Sequence, residues 1–207
     1  FQLSNALNYN KRLVGLPSRS LTTTTDASAA QRKPGRLRIG YVSSDLREHA
    51  VGFAMTDVVE LHDRKKVEIF AYYCGIPAPD TTQSRIKAAA EHWLDLRGMT
   101  DEQAAARIKT DNIDILVDLN GYTKDARTKV FAMRPAPINV NWFGFPNTMG
   151  TPYHHYLIAD EHIIPPEAEH SYSEKVVRLP CYQPNDRKRV VSPRRPTRRD
   201  DPLAVIG

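Results

Sequence analysis

The stretch YVSSDLREHAVGF, residues 41 to 53, places titratable side chains where an apolar strand would turn into an apolar helix. Asp45 and His49 stand there as a carboxylate and an imidazole, two groups that can hold or exchange a proton. Ser44 or Asp45 can instead cap the helix, because their oxygens satisfy free backbone N–H groups. The same helix start suits an anionic ligand, since its N–H groups and dipole attract negative charge. From these residues alone both interpretations stay open.

Two later loops carry groups that can contact a ligand. NGYTKDAR, residues 120 to 127, offers Tyr122 and Lys124 as donors, although a plain Asn-Gly turn is the alternative. WFGFPNTMGTPYHH, residues 142 to 155, combines aromatic side chains with glycines that let a backbone approach a flat sugar or base; it can equally be a packed surface loop. The two adjacent histidines of that loop are poorly spaced for one metal ion, so we predict no metal site.

An alternation of strand and helix patterns must position these loops. Apolar, β-branched runs predict the strands, and helical apolar spacing or a capping box predicts the helices. Such alternation favours the α/β fold class, with a Rossmann-like parallel sheet and helices on both faces. The strands are predicted at 37–43, 67–73, 113–119, 138–143, 156–160 and, as an edge strand, 175–179, and the helices at 1–15, 51–62, after Thr100 and at 124–133.

Polar residues follow the carboxyl ends of several predicted strands. Ser43 to Asp45 follow the first, Asn120 to Tyr122 the third, Gly144 to Gly150 the fourth and Asp160 the fifth. In open α/β sheets ligands bind outside these strand ends. We therefore expect the loops to converge on one crevice.

Composition narrows the class of protein. The 207 residues suffice for one α/β domain with appendages. No apolar run approaches the roughly 20 residues of a membrane helix, so no membrane partner is expected. The sequence contains none of the patterns GxGxxG, GxxxxGK[ST], GxSxG and HExxH. Dinucleotide binding, P-loop hydrolysis, a nucleophile elbow and zincin chemistry therefore have no support. Cys74 and Cys181 are far apart, which favours free thiols and a cytoplasmic location.

Positive charge is concentrated near the C-terminus. The formal net charge is +5, and residues 186–201 hold seven basic and three acidic residues. The remainder is nearly neutral, with 22 basic and 21 acidic residues. A nucleic-acid binder would also show a basic face on its folded part. We therefore interpret the segment as a solvated linker and expect no nucleic-acid partner.

Six blocks, in this order, resemble one family: RIGYVSSD, EHAVGF, DILVDLNGYT, MRPAPINVNWFGFPNTMG, YLIAD and YSEKVVRLP. From about Arg36 to about Asn185 the chain is similar to the N-terminal half of the catalytic region of the protein O-linked N-acetylglucosamine transferases, the SPINDLY-like family, bacterial members in particular. The resemblance implies half of a GT-B glycosyltransferase that inverts the sugar without an obligatory metal. It further implies UDP-N-acetylglucosamine as donor substrate, no other cofactor, and Ser or Thr hydroxyls of an acceptor protein or peptide.

The resemblance also implies site residues. Asp45 and His49 fall on the family's active-site carboxylate and histidine. We expect His49 to position the acceptor or the donor, and Asp45 to tune it or to relay a proton. His155 stands where the family commonly has Asp, which leaves the anchoring of that loop open. The substrate-binding positions are, against the donor sugar, Phe143, Gly144 and Pro146 and, near the acceptor peptide, Tyr122 and Lys124.

Four segments follow from the resemblance. Residues 1–15 are a helical remnant after upstream tetratricopeptide repeats, and 16–35 are a linker. Residues 36–182 are the Rossmann-like N-terminal catalytic domain, and 183–207 a basic linker entering a second catalytic domain outside this chain. We expect little or no transferase activity without that second half. The alternatives are a non-catalytic protein-binding relic and another GT-B nucleotide-sugar enzyme such as an epimerase.

Overall fold

A computed structural model describes residues 2–14, 35–77 and 79–188. Within these ranges strands and helices alternate along most of the chain. The elements are α1 Gln2–Val14, β1 Leu37–Ser43, α2 Ala50–Leu61, β2 Val67–Tyr73, α3 Thr81–Ala89, β3 His92–Asp95, α4 Asp101–Thr110, β4 Ile115–Asp118, α5 Thr128–Ala132, β5 Ile138–Trp142, β6 Tyr156–Ala159, a 3-10 helix Pro166–Ser171 and β7 Lys175–Arg178.

The described strands form one sheet in the order β3-β2-β1-β4-β5-β6-β7, with every neighbouring pair parallel. From β1 the chain adds β2 and β3 on one side of the sheet and then β4 to β7 on the other. The connections after β1 and β4 therefore lead to opposite sides, which opens a crevice above the carboxyl ends of these two strands. Val42 of β1 pairs with Asp118 of β4, so the two strands end at nearly the same height. The predicted parallel α/β sheet is confirmed, and β7 lies at the edge as expected.

The core has two layers because side chains alternate across the sheet. On one face Tyr41 packs with Met55 of α2, and on the other Val42 packs with Ile108 of α4. Each of these side chains is at most 4% exposed. Full burial of one such side chain contributes about 1.5–3 kcal/mol. The two layers therefore fix the sheet between helices on both faces.

Two elements between β2 and α4 were not predicted from the sequence. Asp80 caps α3 by accepting the Gln83 N–H at 2.7 Å. Ile86 is the one apolar residue among the buried positions of α3. β3 is a four-residue edge strand. Neither element turns a regular apolar face to the core, so both lack the periodicity from which elements are predicted.

The helix predicted at 124–133 is shorter in the structure, where α5 begins at Thr128. Asp125 has a φ of 62°, in the left-handed region, which interrupts a helix. Arg127 donates to two carbonyls of the β3–α4 connection and pairs with Asp101 at 2.5 Å. The residues before α5 are thus held as a loop.

The beginning of the predicted basic linker, 183–188, is ion-paired to the domain. Asp57, 3% exposed, accepts the backbone N–H of Arg187 at 2.7 Å and its Nε at 2.9 Å. Arg85 binds Asp186 at 2.8 Å, and this bond holds the pKa of Asp186 below its usual value. The side chains of Arg187 and Lys188 are nevertheless 61% and 59% exposed, so this part of the segment is solvated while its charges pair with the domain. Residues 189–207 and most of the predicted linker 16–35 lie outside the described residues.

Candidate functional site

The connection between β1 and α2 places Asp45 and His49 together. The N–H of Asp45 donates to Ser43 Oγ at 2.9 Å, and the N–H of Arg47 donates to the carbonyl of Asp45 at 2.8 Å. The loop then lies so close to the helix that a Cβ on Gly52 would be 1.9 Å from the Arg47 carbonyl oxygen. Only glycine permits this approach.

His49 is the residue that caps α2. Its Nδ1 accepts the Val51 N–H at 3.3 Å, and its own backbone is extended. The alternative in which Ser44 or Asp45 caps the helix is therefore wrong. The loop after β1 separates them from the helix start, which leaves Asp45 available for other contacts.

Side-chain donors fix the Asp45 carboxylate. One oxygen, Oδ1, accepts from Arg47 Nη2 at 3.2 Å, and Oδ2 accepts from Asn120 Nδ2 at 3.2 Å. His49 Nδ1 lies 3.9 Å from Oδ2. The Asp45 side chain is 14% exposed, so the carboxylate is oriented and still accessible.

Asn120 joins the two loops that flank the crevice. Its Oδ1 accepts the Ser44 N–H and its Nδ2 donates to Ser44 Oγ, both at 2.8 Å. The same Nδ2 is 3.1 Å from Thr123 Oγ1 and contacts Asp45. This buried amide therefore ties the β4 loop to the β1 loop at the switch point of the sheet.

A buried Asp–His pair supports the Asn120 turn from below. Asp118 Oδ1 accepts the N–H groups of Asn120 and Gly121, both at 2.9 Å. Asp118 Oδ2 lies 3.2 Å from His154 Nε2, and His154 Nδ1 lies 2.8 Å from Thr151 Oγ1. The His154 side chain has no exposed surface and that of Asp118 is 3% exposed. The β5–β6 loop is thereby coupled to the crevice.

The hydrogen bond that caps α2 determines which nitrogen of His49 carries the proton. Because Nδ1 accepts from Val51, the neutral ring carries its hydrogen on Nε2. The side chain is 41% exposed, and Nε2 has no hydrogen-bond partner among the described residues. In this arrangement His49 can donate to a ligand oxygen from Nε2.

Tyr122 and Lys124 occupy different parts of the β4 loop. The Tyr122 hydroxyl donates to the Met149 carbonyl at 2.6 Å, and burial, followed by the charge of Glu174, raises the pKa of Tyr122. The side chain of Lys124 is exposed, while its carbonyl accepts from Ser44 Oγ at 3.4 Å. Tyr122 is thus fixed as a neutral wall residue, and the Lys124 ammonium group has no partner among the described residues.

The three positions matched to the donor-sugar loop differ in accessibility. Phe143 is 8% exposed and packs edge-on against Trp142 at 5.1 Å, so its ring lies in the core, and its contact with the donor sugar stays a prediction. A Cβ on Gly144 would lie 1.6 Å from the Leu119 carbonyl oxygen. The backbone of this loop therefore contacts the end of β4 directly, which only glycine allows. Pro146 is exposed at the loop tip.

His155 and Glu174 anchor the loop. His155 Nδ1 accepts the Asn139 N–H at 3.0 Å, and burial lowers the pKa of His155, which favours the neutral ring needed to accept. Glu174 accepts the Thr148 hydroxyl and the Met149 N–H, both at 2.7 Å. Histidine in place of the family's common Asp therefore still anchors this segment.

A cleft of about 640 Å³ separates α1 from the β4 and β5 loops. Tyr122 lines it, with the ring of Tyr9 edge-on at 4.8 Å and that of Phe145 at 5.6 Å. The Tyr153 hydroxyl donates to Asn10 Oδ1 at 2.6 Å and fixes α1 to the domain. The cleft is lined by Gln2, Asn5, Ala6, Asn8, Tyr9, Arg12, Tyr122, Phe145, Asn147 and Thr148.

Several of these residues were not predicted as part of a site. The contacts of Asn120 and of the Asp118–His154 pair depend on which strands are neighbours, and the sequence does not show this. The position of Asn120 directly after a predicted strand was the signal that could have identified it. The cleft face of α1 gave no signal, because its partner is more than 100 residues away in sequence. No group of three or more His, Cys, Asp or Glu side chains in the described ranges is arranged to hold a metal ion. No described helix is long and apolar enough to span a membrane.

Curated proteins similar to this chain carry transferase names. A protein of Arabidopsis thaliana, named probable UDP-N-acetylglucosamine–peptide N-acetylglucosaminyltransferase SEC, is 46% identical over 173 residues, covering 80% of this chain and 18% of its own length. The Caenorhabditis elegans UDP-N-acetylglucosamine–peptide N-acetylglucosaminyltransferase is 40% identical over 146 residues, or 70% of this chain and 13% of its own. The chain therefore spans less than a fifth of either relative.

A solved structure and a family model agree with these relatives. The structure of a Thermobaculum terrenum O-GlcNAc transferase mutant superimposes with a TM-score of 0.76 at 36% identity, covering 87% of this chain and 34% of that one. The model of glycosyl transferase family 41 matches residues 19–187, well over half of the chain. With its parallel sheet and crevice loops, this chain belongs to glycosyl transferase family 41.

Proposed function

We propose that this chain supplies one wall of a site that transfers N-acetylglucosamine from UDP-N-acetylglucosamine to Ser or Thr hydroxyls of proteins. The names of the relatives support the donor and the peptide acceptor. Because the chain spans only part of those relatives, the activity concerns the whole protein to which it belongs. The observation that carries the proposal is the grouping of Asp45, His49 and Asn120 at the β1/β4 crevice.

The reaction places two demands on such a site. Direct displacement at the anomeric carbon breaks its bond to the diphosphate and forms one to the acceptor oxygen, so negative charge grows on the diphosphate while the hydroxyl loses its proton. Donors aimed at the growing charge act strongly where water is excluded. His49 Nε2–H is such a donor, and α2, which begins beside it, adds the positive end of its dipole.

In the proposed reaction Asp45 stabilises charge and relays a proton. Arg47 and Asn120 hold its two oxygens in fixed directions, and each oxygen retains a lone pair. A carboxylate near the reacting centre can stabilise positive charge on the sugar and accept a proton passed from the acceptor hydroxyl. Asn120 is the positioning residue that keeps this carboxylate at the crevice.

The substrates and the compartment form part of the same proposal. The nucleotide sugar is a donor substrate, and neither a further cofactor nor a metal ion is required. The cleft beside Tyr122 takes the acceptor peptide, and the exposed Lys124 follows Tyr122 in the same loop. A reducing compartment, the cytoplasm, is consistent with Cys74 and Cys181, both of which are free thiols.

Transfer of labelled N-acetylglucosamine to an acceptor peptide by the full-length protein tests the proposal. We expect His49→Ala to lower kcat by about 100-fold or more, the usual cost of removing one oxyanion donor. His49→Gln, whose amide can still donate, should recover part of this loss. If kinetics are unchanged in His49→Ala, His49 is not in the site; if His49→Gln recovers nothing, its donor role is wrong.

The products separate the proposed reaction from its alternatives. Release of an altered sugar without labelled peptide would identify an epimerase. Absence of turnover together with absence of UDP-sugar binding, measured by calorimetry on the full-length protein, would identify a non-catalytic relic. Labelled peptide that requires both Asp45 and His49 supports the transferase.

A further inference from the structure

The cleft between α1 and the Tyr122 loop has an uneven distribution of charge. Arg12 is the only charged residue among the described residues that line it. Its guanidinium has no hydrogen-bond or ion-pair partner in the described part of the chain, whereas every other described arginine has at least one, Arg134 through the Pro152 carbonyl. Lys11, the adjacent basic residue, does not line the cleft.

Buried carboxylates lie behind the Tyr122 and Thr148 part of the cleft lining. Glu174, 5% exposed, lies behind Thr148 and binds its hydroxyl at 2.7 Å. The charges of Glu174 and Asp118 both add to the raised pKa of Tyr122. An anionic group in the cleft is therefore repelled near Tyr122 and attracted near Arg12.

The uncharged lining suits a polypeptide. Asn5 and Asn8 carry side-chain amides that have no partner among the described residues, and such amides can both donate to and accept from peptide groups. Tyr9 and Phe145 flank Tyr122 edge-on and provide apolar surface for a side chain. Residues five, nine and twelve of a helix share one face, so amide, ring and guanidinium follow one another along the cleft.

The anchoring of α1 gives these groups a fixed order. Asn10 accepts from Tyr153 at 2.6 Å and Tyr9 packs on Tyr122 at 4.8 Å, so the helix cannot rotate without losing both contacts. From Asn5 to Arg12 the helix rises about 10 Å, at roughly 1.5 Å per residue. An extended peptide covers this distance in about three residues, at roughly 3.3 Å each.

We propose that Arg12 selects acceptor peptides that carry an acidic side chain, aspartate or glutamate, a few residues from the glycosylated Ser or Thr. The selection rests on the proposed peptide transfer and names a substrate class for that site. The bond is a guanidinium–carboxylate contact at a partly solvated cleft, so its effect is modest and decreases with salt.

An aspartate scan on the full-length protein tests this specificity. Peptides with one serine carry Asp, Ala or Lys at each position from −5 to +5, and kcat/KM is measured for the wild type, Arg12→Glu and Lys11→Glu. We expect one position at which the wild type prefers Asp over Ala by about two- to fivefold. Arg12→Glu should lose this preference and instead favour the peptide with Lys at that position. Lys11→Glu, with the same change in net charge, should keep the preference for Asp.

The outcomes distinguish the specificity from the function beneath it. The role of Arg12 is overturned if an active wild type shows the same kcat/KM for the Asp, Ala and Lys peptides at every position. It is also overturned if Arg12→Glu and Lys11→Glu show the same preference among these peptides. Neither result contradicts the proposed transferase activity. If no peptide is labelled, the proposed function fails, and binding of fluorescent Ser→Ala peptides then decides the role of Arg12. Equal affinity of the wild type for the Asp and Lys peptides in that assay overturns it.

Discussion

His154→Ala should destabilise the protein far more than the same change at its neighbour, His155. The His154 ring bonds Asp118 Oδ2 at 3.2 Å and Thr151 Oγ1 at 2.8 Å, without exposed side-chain surface. Removing a bond to a buried charged group costs about 1.5–3 kcal/mol. The void left beside Phe131, whose ring centroid is 5.1 Å away, adds about 2 kcal/mol.

The expected loss is therefore about 3–5 kcal/mol, as for other broken buried pairs. His155→Ala, which removes one backbone-to-ring bond, should cost about 1 kcal/mol. Urea unfolding followed by tryptophan fluorescence measures both free energies. A double-mutant cycle with Asp118→Asn should give a non-additive pair. A His154→Ala loss below about 1 kcal/mol, or full additivity with Asp118→Asn, would refute the coupling through this pair.

Two further predictions concern packing and pH. Gly144→Ala should destabilise by about 1–3 kcal/mol or more because its Cβ would overlap the Leu119 carbonyl, while Gly98→Ala, with no atom within 4 Å of its Cβ, should be neutral in the same urea assay. Burial, followed by the charge of Arg64, lowers the pKa of His62 in the folded protein. In acid the unfolded protein therefore binds more protons at this residue than the folded protein does. Stability should thus be full above about pH 6.5 and fall below it, less steeply in His62→Gln. Equal slopes in both proteins would contradict this assignment.

Much of the frame followed from local patterns that are strong in this chain. The long apolar runs of β1 and β2 predicted buried strands at their observed positions, and the capping box of Thr100 with Gln103 is present. Such features depend on neighbours in sequence, so a single sequence determines them. α3 and β3 were missed because their burial comes from packing at the sheet edge rather than from their own periodicity.

The sequence by itself determined that Asp45 and His49 lie after a strand and that the 120 and 144 loops follow the ends of two successive strands. The tertiary structure decided what each side chain does. It made His49 the helix cap, placed Phe143 in the core and used Asn120 to join loops 75 residues apart. The roles of Asn120 and Phe143 arise from strand order and long-range packing, which no local propensity encodes, whereas the His49 cap is a contact with Val51 that depends on where the chain enters α2. The same reason applies to α1, whose cleft face exists only because Tyr153 and Tyr122 meet it.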